Sequence, residues 1–174
     1  MSTKARVLVV ANRTVDSSEL ISTLRRRAAR SPTCFTLLVP AVPYGLSWAA
    51  DMKAGRTEAA PRADAGANRM RAAGLDVSAT LVGDPDPIAA VGDLLRERDF
   101  DEIVVSTLPR GVSRWLRLSL PQRVRRMTAL PVIHVTAREI SRRDRSALPL
   151  RRRSAQPAAR ETAPAALPAW RSRG

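Results

Sequence analysis

The feature that most constrains this chain is a five-fold return of short β-branched runs, each separated from the next by a stretch of helical spacing. Ala5 to Ala11 reads A-R-V-L-V-V-A, a near-continuous apolar run of the kind a central parallel strand needs when both of its faces are covered. Asp16 and Glu19 then bracket a D-x-x-E helix start. Leu20, Ile21, Leu24 and Ala28 follow at helical spacing, with Arg25, Arg26, Arg27 and Arg30 largely on the solvent side. Cys34 to Val39 is the next strand, closed by Pro40 and Pro43. Between Tyr44 and Gly74 the pattern weakens under Gly45, Gly55, Pro61 and Gly66, and the spacing predicts one broken helix whose best part is Arg62 to Ala73. Leu75 to Val82 alternates as a strand. Asp86 with Pro87 caps a helix carrying an Ile88, Val91, Leu94, Leu95 stripe, and Phe100 anchors its exit. Ile103-Val104-Val105 and Leu130 to Val135 are the last two strands, with a helix from Ser119 between them that turns Leu120, Val124 and Met127 inward.

Five strands and four crossovers, all of one hand, make a doubly wound parallel α/β sheet flanked by helices. In flavodoxin-like or related strand orders, Asn12-Arg13-Thr14 and the loop Ser106 to Gly111 lie side by side at the topological switch point, with a cleft between them. Ser119-Leu120-Pro121-Gln122 reads as a capping box with proline in the first turn, so free N–H groups and the positive end of a helix dipole face that loop. Such an end suits a phosphate, and it equally serves as an ordinary cap.

Charge is distributed unevenly. The chain carries a net charge of +14, and the last 37 residues, from Arg138, hold ten arginines against Glu139, Asp144 and Glu161, or +7; the first 137 residues hold the other +7. The Arg138 to Gly174 segment, with Arg151-Arg152-Arg153 and repeated Ala and Pro, lacks the apolar periodicity to bury anything and reads as a disordered basic tail behind an α/β domain of residues 1–137. Its expected role is solvation or nonspecific contact with polyanions. Sequence-specific DNA recognition has no helix-turn-helix, zinc-finger or basic-zipper pattern behind it. No apolar run approaches the roughly 20 residues that cross a bilayer, and the first residues lead straight into a strand, so no membrane contact and a cytoplasmic location are expected. Cys34 is alone, so it forms no internal disulfide, and with His134 as the one other soft ligand it makes no zinc site. His134 reads as a core residue of an alternating strand, and Asp84 and Asp86 as a turn and cap. Without a Ser/His/Asp set, paired carboxylates on one element or a P-loop, the chain is expected not to be an enzyme.

From Ala5 to Ala137 the residues resemble the universal stress protein family. The first strand running into Asn12 resembles that family's V-x-V-D strand, and Phe35-Thr36-Leu37-Leu38-Val39 its second strand. Val82-Gly83-Asp84-Pro85 is similar to its G-D-P step, and Leu130-Pro131-Val132-Ile133-His134-Val135 to its closing C-P-V-x-V-V strand. The resemblance implies ATP or a related adenine nucleotide held between the first and fourth strands. The residues it implies are Asn12, Arg13 and Val39 from the first two strands, and Ser106, Thr107, Arg110, Gly111, Leu118, Ser119 and Leu120 from the fourth strand onward. It also implies homodimers, commonly through the last strand.

The departures concentrate in the phosphate loop. Nucleotide-binding members carry G-x-x-G, about nine residues and G-[ST]; here Ser106 stands where glycine is usual, Leu118 replaces the glycine before Ser119, and Gly111 and Ser119 are the clear matches. Glycines let backbone approach phosphate oxygens, so their loss weakens ATP binding; Arg110, Arg114 and Arg117 offer bidentate contacts in compensation, or are a solvated face. Asn12, in place of an acidic residue, neutralises no Mg²⁺ charge. Trp115 reads as core or a dimer contact. Two functions therefore stay open: an adenine-nucleotide-holding protein, or a nucleotide-free dimeric interaction module whose basic tail meets an acidic partner or nucleic acid.

Overall fold

The computed structural model describes residues 3–41, 52–109 and 120–137, with side chains except at 52–58. The strands are β1 (Ala5–Val10), β2 (Thr33–Pro40), β3 (Val77–Gly83), β4 (Glu102–Thr107) and β5 (Val132–Thr136), and the helices are α1 (Ser18–Ala28), α2 (Met52–Ala72), α3 (Pro87–Glu97) and α4 (Leu120–Met127). The strands form one sheet in the order β3-β2-β1-β4-β5, parallel at every pairing. This is the doubly wound fold expected, with β1 in the middle and the reversal of winding between β1 and β4.

The strand alternation sorts side chains onto two faces. Val7, Val9, Phe35, Leu37, Val39 and Val104 pack under Leu20 and Leu24 of α1 and Ala63, Ala67 and Met70 of α2. Leu8, Val10, Leu38, Ile103 and Val105 pack under Ala90, Val91 and Leu94 of α3 and Leu120 and Val124 of α4. Val7 to Val10 are all 0% exposed, which is why the first run carries no polar alternation. Each such side chain contributes about 1.5–3 kcal/mol by leaving water.

Three local expectations change. The α1 cap is Ser17, whose Oγ accepts from Leu20 N at 3.3 Å, and not Asp16. Turn bonds from Val15 N to Asn12 O and Ser17 N to Thr14 O carry the chain one residue further before the helix begins. Helix α2 runs unbroken from Met52 through Pro61, although a proline removes one helical hydrogen bond. Its buried Ala59, Ala63 and Ala67 let the helix lie close to the sheet, and that packing outweighs the local breakers. Ser106 and Thr107 are the last residues of β4, where pairing with Val135 and Thr136 extends the strand past the apolar run. The Asp86 cap stands as expected, Oδ1 accepting from Ile88 N at 3.0 Å. The last residue of β3 is Gly83, where a Cβ would lie 2.7 Å from Ala90 Cβ and 2.8 Å from Leu38 Cδ1. Arg110 to Ser119, with Trp115, and the segment from Arg138 lie outside the described residues.

Candidate functional site

The carboxyl ends of β1 and β4 meet at the switch point. Thr14, in the turn after β1, and Ser106, near the end of β4, share a buried hydrogen bond of 2.7 Å between their hydroxyls. Asn12 is 3% exposed; its Nδ2 donates to the Pro40 carbonyl of β2 at 2.9 Å, and its Oδ1 accepts from Arg62 Nη1 of α2 at 3.0 Å. One amide therefore ties β1 to β2 and to the helix that crosses above them. The closeness of α2 is visible at Gly66, where a Cβ would come within 2.2 Å of Val15 Cγ2.

On the β4 side, Ser106 is 0% and Thr107 2% exposed, and Thr107 Oγ1 lies 2.7 Å from His134 Nε2 on β5. His134 is half-buried; burial, and after it the nearby Arg125 guanidinium, hold its imidazole below the usual histidine range. Cys34 is likewise only half-buried.

Of the expected site residues, Asn12, Arg13, Val39, Ser106 and Thr107 gather at the carboxyl ends of β1, β2 and β4, while Leu120 opens α4 and is buried against the opposite face of the sheet. Val39 is wholly buried in the core. Arg110, Gly111, Leu118 and Ser119 lie outside the described residues. Chemically, the Asn12 amide and the Ser106 and Thr107 hydroxyls are buried and already hydrogen-bonded within the protein. Their neutral oxygens offer a divalent cation no charge, and among the described residues no three His, Cys, Asp or Glu side chains come together as a metal site. The residue reasoning from sequence missed is Arg62, which brings a guanidinium to the cleft. Arg62 lay in the best part of the helix read there, and what no spacing registered is that it meets Asn12 across 50 positions.

Known structures share this fold. A universal stress protein from Archaeoglobus fulgidus in complex with dAMP superposes with a TM-score of 0.55 at 17% identity, covering 78% of this chain and 100% of its own. The chain has the fold of the universal stress proteins. A universal stress protein in complex with cAMP gives 0.52 at 22% identity over 78% of this chain and 99% of that one. A universal stress protein family protein from Arabidopsis thaliana with AMP bound gives 0.52 at 16% identity over 76% and 92%. No protein-family model matches the chain, and no curated protein matches it in sequence.

Proposed function

We propose that the chain is a universal-stress-type protein that holds an adenine nucleotide in the cleft between β1 and β4, without chemistry on it. The observation that carries this reading is the switch point itself. The β1 and β4 ends are locked together by the Thr14–Ser106 bond, and the guanidinium of Arg62 stands at the same place, 3.0 Å from Asn12. Open α/β sheets bind ligands at that position, and a guanidinium there suits a phosphate or a ribose hydroxyl. Proteins of the same fold in complex with dAMP, cAMP and AMP support the ligand class. Asn12 gives the site no metal-binding charge, so binding here is independent of Mg²⁺ at that residue. Arg13, Arg110, Gly111 and Ser119 are the remaining contacts in this reading, and ATP is one candidate among the adenine nucleotides.

A second reading, a nucleotide-free interaction module, is favoured by one observation: both ends of the Asn12 amide are already taken by Pro40 and Arg62. Isothermal titration of AMP and of ATP, each with and without Mg²⁺, into the full chain separates the two. Saturable micromolar binding indifferent to Mg²⁺ for AMP supports the nucleotide reading. Absence of heat for both ligands, with no thermal shift, overturns it in favour of the second.

A further inference from the structure

The sheet has a second opening, at the end opposite the β1–β4 cleft. A pocket of about 370 Å³ lies there between the chain leaving α3 and the amino ends of β1, β2 and β3. The strands line it with Arg6, Cys34, Thr36 and Ser78, and the end of α3 with Glu97, Arg98 and Asp99. Its volume falls within the range of about 300–1,000 Å³ that small-molecule sites occupy. Cys34 and Thr36 alternate with the buried Phe35, so both stand on the sheet face that carries Leu38 and α3. Arg6 is the register partner of Cys34 on β1, which sets the two residues side by side across the strands.

Two observations point to a ligand here. Thr36 is 6% exposed, yet its one hydrogen-bond contact among the described residues is Ser78 Oγ at 3.5 Å. Hydroxyls bond one another at about 2.5–3.0 Å, and Ser78 Oγ already gives its own proton to the Phe35 carbonyl at 3.1 Å. The Thr36 hydroxyl therefore lines the pocket with its hydrogen-bonding capacity barely used, and a polar occupant would satisfy it. The second observation is the balance of charge. Two guanidiniums, of Arg6 and Arg98, face two carboxylates, of Glu97 and Asp99. The contacts of Arg6 with Asp99 at 3.5 Å and with Asp101 at 4.0 Å are long and exposed. Such a lining matches a group that carries one carboxylate and one ammonium better than a simple anion.

We propose that Cys34 is a thiol-modification site whose pocket holds one half of a zwitterionic low-molecular-weight disulfide, built from a thiol with a free α-amino and α-carboxyl group. Cys34 Sγ, as the thiolate, attacks one sulfur of that disulfide. The S–S bond breaks as the new bond to Cys34 forms, and the other half leaves as a thiolate that takes up the proton Cys34 released. Cys34 is oxidised and the departing half is reduced. In the adduct Arg6 and Arg98 receive the carboxylate, Glu97 and Asp99 the ammonium, and Thr36 a polar group of the bound half. Cys34 is the one cysteine in the sequence, so no second thiol of the chain reverses the step. Its half-burial admits a small disulfide more readily than the equally half-buried thiol of a second copy.

The test is intact-mass spectrometry of the full chain, reduced and then incubated with cystine or with the uncharged hydroxyethyl disulfide, each rate being divided by that of the same chain unfolded in urea. The folded chain is expected to favour cystine by about tenfold in this ratio, the worth of one charge-assisted contact. The double variant Glu97→Gln/Arg98→Gln, at two exposed positions, is expected to lose that preference and keep its rate with hydroxyethyl disulfide. Equal ratios for the two disulfides in the parent chain would overturn the proposal, as would a preference that survives the double variant. So would a thiol that reacts only in the unfolded chain, or a Cys34-linked dimer as the main product.

Discussion

At the carboxyl ends of β1 and β4 the polar side chains answer one another. Asn12 is held by Pro40 and Arg62, Thr14 by Ser106, and Thr107 by His134. Around the last turn of α1 the arrangement differs: Arg27 is committed to Glu102 at 2.5 Å, while its neighbours Arg25, Arg26 and Arg30 form no ion pair with a described carboxylate. At the β1 and β4 ends the polar groups pair with one another, whereas among the α1 arginines Arg27 turns inward, reaching Glu102 at the start of β4 and also donating to Thr33 at 3.1 Å.

That contrast is broken most readily at Arg27. Arg27→Ala strands the buried Glu102 carboxylate and is expected to cost about 3 kcal/mol, whereas Arg26→Ala and Arg30→Ala stay within about 0.5 kcal/mol. Urea unfolding curves for the three variants measure this, and equal costs would erase the distinction between Arg27 and its neighbours. In the cleft, Asn12→Ala removes two hydrogen bonds at once and leaves the Pro40 carbonyl without its side-chain donor. A loss of about 1–3 kcal/mol in the same assay is expected, and a neutral result would mean this amide does not hold β1 to β2.

The smallest effect concerns His134, the single histidine in the sequence. Its folded pKa lies below the ordinary histidine value of 6.5, so the neutral ring is favoured in the native state. The resulting stability is fully present above the unfolded pKa and declines as pH falls through the folded value. An NMR titration of the one imidazole is expected to give a midpoint below 6.5. A midpoint at or above 6.5 would remove the burial and the Arg125 neighbourhood as its governing environment.

The sheet and its winding were legible because burial on both faces forces continuous apolar runs such as Val7 to Val10, and these cannot be mistaken for alternating strands. The nearness of the chain after β1 to the end of β4 was legible from the alternation of strands and helices, although the strand order itself stayed open between flavodoxin-like and related orders. What escaped was set by long-range packing. Arg62 meets Asn12 across 50 positions only because α2 continues through Pro61, and Pro61 argues locally against that. Ser106 and Thr107 read as loop because their polarity resembles a turn, yet pairing with β5 makes them strand. Ser17 displaced Asp16 as cap because the preceding turn, which no spacing rule registers, set the helix start.

Amide chemical-shift mapping on the full chain with AMP added tests the nucleotide reading most directly. The account predicts that AMP perturbs residues at the ends of β1 and β4, from Ala11 to Val15 and from Ser106 to Leu108. AMP leaving those residues unmoved would contradict it.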